Sequence, residues 1–287
     1  MIGFDAIMCH HLGWTLTNWT APIVPFFILA VIAFGYGLSG RSPGLARAAG
    51  WLLAWTSFSL SGVVLSYIGA ASTRPVYDAI FARLDLVIGF HWQDWFYFVS
   101  NRPILTSILT AGYASLMLQI ILSVLYFCWR GTEDKNAALM LNVFIATLAT
   151  IAIFAIFPAL GPSYAVPLLH NASDTLLTNL RDRNGIAELL ALRDGTFATI
   201  DLSHLKGVVS FPSLHTVLAI VLTHSHLRSW LFTPVLLLNG LMVLSVPVIG
   251  GHYLVDVIAG AAVAGATILL TRPLRRYFRT NVAAAHR

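Results

Sequence analysis

Long apolar runs alternate with short polar stretches along the chain, and seven runs suit a membrane-crossing helix: 22–38, 48–71, 104–129, 137–160, 213–227, 230–249 and 252–271. A hydrocarbon layer about 30 Å thick takes about 20 mostly apolar helical residues. The run 213–227 is short and polar at its ends. The pattern predicts an all-α fold, a polytopic transmembrane helical bundle of six to seven spans, as one integral membrane domain over 1–287. Two connections break the alternation. In 72–103, apolar and charged residues mix at roughly helical spacing and are too polar to span, which predicts outward-facing amphipathic helices on the membrane surface or packed over the bundle. The stretch 161–212 follows Phe157-Pro158-Ala159-Leu160-Gly161-Pro162-Ser163, whose prolines and glycine end the preceding helix. It continues through a charged stretch from Arg181 to Asp201, and it predicts an outward capping loop.

Composition agrees with a chain dissolved mainly in lipid: 57% of residues are apolar and only 10% charged, and the mean hydropathy is +0.78, where a soluble globule carries about a quarter charged residues. Trp19, Trp51, Trp129 and Trp230 lie near segment ends, as interfacial anchors do. Arg41 and Arg47, Arg130 and Lys135, Arg228, and Arg272, Arg275, Arg276 and Arg279 occupy three short loops and the tail. Seven crossings put these regions on one side, which the positive-inside rule makes cytoplasmic, with 72–103 and 161–212 facing outward. The net charge of +5 resides mostly there, so its partner is the headgroup surface of the bilayer and not nucleic acid. Cys9 and Cys128 form no metal or redox spacing. The start of the chain lacks the basic opening of a cleavable signal peptide, so the expected location is an integral multi-pass one, the inner membrane in a bacterium.

Candidate chemistry gathers at two helix starts. Pro212 and Ser213 are start signals ahead of the apolar run from Thr216 to Leu222. A helix start presents unpaired amides and a partial positive charge, a ready seat for phosphate. Ser213 can add a hydroxyl there, and His215 falls within the first turn. Further on, Gly250-Gly251-His252-Tyr253-Leu254-Val255-Asp256 opens the last segment. His252 and Asp256 are four apart and share a helix face. A carboxylate on one ring nitrogen fixes the tautomer and leaves the other nitrogen to attack or to move a proton. An acid inside an apolar run is also costly and usually has a role. His224 and His226 are two apart and diverge, a poor metal pair, and no metal or cofactor is expected. His10, His11, His91, His170 and His204 are scattered through exposed stretches. Gly260 with Ala264, and Ala261 with Gly265, form small-residue stripes suited to close helix packing.

Phe211-Pro212-Ser213-Leu214-His215 followed, one membrane segment later, by Gly251-His252-Tyr253-Leu254-Val255-Asp256 resembles the phosphatidic acid phosphatase type 2 (PAP2) superfamily, with a catalytic core over 137–271. The upstream Phe157-Pro158-Ala159-Leu160-Gly161-Pro162-Ser163 element looks like the branch that includes the inositol phosphorylceramide synthases. The resemblance implies that His252 attacks phosphorus to give a phosphohistidine, that His215 protonates the leaving alcohol, and that Asp256 orients His252. It also implies that Ser213 and nearby amides bind the phosphoryl oxygens, without a metal. Two departures stand out. The superfamily's first motif, a Lys with a downstream Arg-Pro, is missing before Pro212, so Arg193 and Lys206 are the nearest candidate phosphate cations. The Ser-Arg that usually precedes the third motif is replaced by Ser245-Val246-Pro247. The expected activity is a lipid phosphatase or phosphotransferase acting on a membrane lipid with a phosphate headgroup at the non-cytoplasmic face. The alternative from another class is a transporter or lipid-phosphate binding protein without turnover.

Overall fold

The computed structural model describes residues 2–165 and 185–285; His170 and the beginning of the charged stretch at Arg181 lie outside them. The chain opens with α1 (Ile2–His11), a short strand β1 (Thr15–Thr17), α2 (Thr20–Ser39) and α3 (Pro43–Ala70). Next come α4 (Asp78–Val87), α5 (Trp92–Ser100), α6 (Pro103–Ala114), α7 (Leu116–Trp129), α8 (Glu133–Ile156) and the single turn α9 (Pro162–Ala165). After the stretch outside the description follow α10 (Ile186–Asp194), strand β2 (Thr199–Asp201), α11 (Leu214–Ser225), α12 (Phe232–Ile249) and α13 (Leu254–Ala285). Among the described residues, five helices are long and apolar enough to cross a membrane, or six when the bent pair α6 and α7 counts as one. The fold is therefore an all-α polytopic bundle. Among the described residues it adds a parallel ribbon, β1 on β2, with Thr15 opposite Thr199. Runs of three residues are too short for a pattern of alternation to reveal them.

Local chemistry explains most element ends. Gly40, at φ 65°, closes α2. Pro43 and Pro103 stand at the first turns of α3 and α6, where a missing N–H costs nothing. Glu133 and Asp134 open α8 at the positive end of its dipole. The run 104–129 is not one straight helix: α6 and α7 meet at 45° around Ser115. The Ser115 hydroxyl donates to the Gly112 carbonyl at 2.6 Å. A Cβ on Gly112 would come within 2.9 Å of Leu241, so α6 lies tightly against α12.

At the centre is α11, packed on α7, α8, α12 and α13. Its Val217, Val221 and Leu222 meet Ile120, Val124 and Phe127 of α7, Leu139 and Val143 of α8, and Met242 of α12. A helix so enclosed needs no polar face, which is why its sequence is apolar nearly all round. In α13, Gly260 lets the helix settle on α11, since a Cβ there would lie 2.7 Å from the Ser213 carbonyl. The second small-residue stripe does not pack this way: Ala261 is exposed, and nothing lies within 4 Å of a Cβ on Gly265.

One end of the bundle collects the short basic loops. Arg47 pairs with Glu133 at 2.8 Å, and the Lys135 ammonium donates to the Leu227 carbonyl at 3.1 Å. His226 lies at this end, its Nε2 2.9 Å from the Ser123 hydroxyl. The other end holds the turns before α11 and α13, and α4 and α5 fold over it. These two helices do not simply float on the membrane surface. Trp92, Phe96 and Val99 of α5 are buried, and the Trp92 indole donates to the Pro247 carbonyl at 2.7 Å. The polarity of α4 is inverted: Asp78, Phe81 and Asp85 face inward, while Ile80, Leu84 and Val87 are exposed.

Candidate active site

The last span begins with two glycines, the first because there is no room for a side chain and the second because its backbone is left-handed. A Cβ on Gly250 would fall 2.7 Å from the Val246 carbonyl, 2.8 Å from the His252 ring and 2.9 Å from the Tyr113 ring. Gly251 has φ +65°. The preceding proline-rich connection passes against this turn through Gly161 (φ +91°), where a Cβ would lie 2.6 Å from the Gly251 carbonyl. Backbone therefore crosses backbone directly behind His252, and the close approach requires hydrogen in place of a side chain.

Asp256, in the first turn of α13, is 0% exposed. Its Oδ2 lies 3.2 Å from His252 Nδ1 and accepts the Tyr253 amide at 3.0 Å. The second bond is the back half of a capping box, in which an acid in the first turn reaches back to the N–H that precedes the helix. One oxygen thus caps the helix and holds the imidazole, leaving Nε2 as the nitrogen that Asp256 does not occupy. The backbone carbonyl of Asp256 also accepts the Ser213 amide at 3.0 Å, which ties the start of α11 to the start of α13.

At that neighbouring start, Ser213 is the N-cap of α11, its hydroxyl accepting the Thr216 amide at 3.4 Å. His215 follows within the turn, and its ring stacks on Tyr113 with centroids 3.9 Å apart and planes 20° off parallel. His215 and His252 border one cavity of about 590 Å³. From the histidines it runs along α3 past Ser66 and Gly62 to Trp55, with Tyr113 and Met117 on the opposite wall. Apart from the imidazoles and a few hydroxyls its walls are apolar. Met117 borders it and is 52% exposed, so the cavity reaches the outside of the bundle beside the α6–α7 elbow.

Of the expected site residues, His215, His252 and Asp256 come together, with Ser213 beneath them. Arg193 and Lys206 do not join them. Arg193 donates to the carbonyls of Ser72 (3.1 Å) and Arg74. Lys206 pairs with Glu188 at 2.9 Å. Neither borders the cavity, and none of the described residues that do is Lys or Arg. The reason is local: Arg193, on α10, lies beside open carbonyls, and Lys206, after β2, lies beside the Glu188 carboxylate of α10, and these partners satisfy them first.

Two acids of α4 enter the site unannounced. Asp85 accepts the Leu254 and Val255 amides, each at 2.9 Å. Asp78 accepts the amides of Leu160 (2.9 Å) and Gly161 (2.8 Å) and the Tyr253 hydroxyl (3.2 Å). Burial pushes both carboxyls above the ordinary carboxylate range, and the amide donors offset part of that rise. Their seven-residue spacing on a helix is the visible signal, but it reads equally well as the polar side of a surface helix.

The model of the PAP2 superfamily matches residues 79–270, well over half of the chain. The chain belongs to the PAP2 superfamily. No curated protein and no solved structure matches it. Membership supports a phosphatase-type function on lipid phosphates, and the matched region begins inside α4, so it takes in Asp85 along with both histidine turns. In this PAP2 protein two histidine turns border the cavity, and the expected cations Arg193 and Lys206 are engaged elsewhere.

Proposed function

We propose that the protein is a membrane-embedded lipid phosphatase or phosphotransferase that works through a phosphohistidine on His252. In the reaction, His252 Nε2 attacks phosphorus, the bond from phosphorus to the alcohol oxygen breaks, and His215, entering as the imidazolium, gives its proton to the departing oxygen. An acceptor, either water or an alcohol as in the inositol phosphorylceramide synthase-like branch, then loses a proton to His215 and displaces His252 from phosphorus. Asp256 holds the His252 tautomer and stabilises the charge that builds on the ring. First-turn amides of α11, at Leu214 and His215, take the phosphoryl oxygens. We place the site at the non-cytoplasmic face, opposite the end that gathers Arg47 and Lys135.

The observation that carries this reading is the pairing of two histidine turns with one mostly apolar cavity. An amphiphile fits it in one sense only, with its phosphate at the imidazoles and its chain along α3. A purely binding protein has no use for an imidazole oriented by a buried carboxylate. The test is to incubate purified protein with radiolabelled phosphatidate in mixed micelles containing chelator, quench it, and look for acid-labile label on histidine. Label on His252 together with release of phosphate or transfer to an added alcohol is the expected result. Turnover without label, or label unaffected by His252→Ala, would overturn it.

A further inference from the structure

The start of α13 has more donors than its own sequence can satisfy. Tyr253 precedes the helix, and tyrosine offers none of the side-chain capping that Ser, Thr, Asp or Asn supplies. Three successive amides, those of Tyr253, Leu254 and Val255, therefore need acceptors from elsewhere. Asp256 takes the first through Oδ2, the same oxygen that holds His252. Asp85 takes the other two, one on each oxygen. Asp256 Oδ1 is buried with no hydrogen-bond partner.

We infer that Asp85 is a positioning residue for this reaction: by satisfying the Leu254 and Val255 amides from α4, it leaves the Asp256 carboxylate to His252. This rests on the reading of His252 as the nucleophile. Asp85 does not border the cavity, so it acts through the backbone it holds. When it is removed, two partly buried donors stand within a residue or two of a carboxylate that has a free oxygen. Leaving a buried donor unpaired is costly, so the turn rearranges until Asp256 satisfies them, and the carboxylate rotates away from Nδ1. Asp78 supports the same turn from the other side through the Tyr253 hydroxyl, and it fixes the Leu160–Gly161 segment behind it. The inverted face of α4 is thereby explained: its acids serve α13, while Ile80, Leu84 and Val87 lie on the lipid side.

The test is a double-mutant cycle on phosphatidate turnover, using Asp85→Ala, Asp256→Asn and the pair, with Asp85→Asn as the near-isosteric variant that keeps one acceptor. Asp85→Ala should lower kcat by roughly five- to hundredfold with KM little changed, and Asp85→Asn by less. In the pair the loss should equal that of Asp256→Asn alone, because both substitutions remove the same hold on His252. Independent multiplication of the two losses, or an unchanged kcat in Asp85→Ala, overturns the inference. Should Asp85→Ala not fold, the cycle is run with Asp85→Asn and judged by the same criterion. His252→Ala is measured alongside: full turnover in that variant refutes the nucleophile itself, whereas a dead His252→Ala with multiplying losses refutes only the role of Asp85.

Discussion

His252 and His226 lie at opposite ends of the bundle and are buried to nearly the same degree, 4% and 1% exposed. Around His226 the neighbours are a serine hydroxyl at 2.9 Å and the ring of Phe127, stacked at 4.8 Å. Around His252 they are a carboxylate at 3.2 Å, a glycine with no space for a Cβ, and a cavity. Burial alone therefore does not mark a candidate site histidine. What distinguishes the two is an acid on one nitrogen and open space for a ligand.

Substitutions can sharpen this contrast. Replacing His252 by Ala should cost at least about 10⁴-fold in kcat on phosphatidate, measured as phosphate release or headgroup transfer; retention of turnover would erase the distinction. Gly250→Ala forces a methyl between the His252 and Tyr113 rings, and the displaced imidazole should lose roughly a hundredfold in kcat while the protein still elutes as a folded species. Least affected is His226→Phe. The Ser123 hydroxyl keeps its bond to the Gln119 carbonyl, so the variant should keep its activity and lose about 1 kcal/mol of stability, visible as a lower melting temperature in detergent. A large loss of kcat there would mean that the far end participates in the chemistry.

The same contrast explains what was legible in the chain. His252 and Asp256 could be read together because they lie four residues apart, although His252 falls two residues before α13 rather than on its face, and the contact forms because Asp256 reaches back from the first turn. Pro212 and Ser213 announced the start of α11 for the same local reason. Asp85 could not be assigned, since its partners lie 169 and 170 residues away and only the folded chain brings them near. Arg193 and Lys206 were chosen by charge, and charge does not say which carbonyl or carboxylate will claim a cation. The bend at Ser115 carries neither proline nor a glycine at the break, so the hydropathy of 104–129 describes a single uninterrupted span. Spans, caps and the dyad are properties of neighbours in sequence, whereas the cavity and the support from α4 belong to the assembled bundle.

That bend also leaves the chamber open beside it. The outer limb leans onto α12 and α5, and Ala114 and Met117 stand at an unsealed seam. A reactant already dissolved in the bilayer could slide in sideways, tail trailing, and never pass through bulk water.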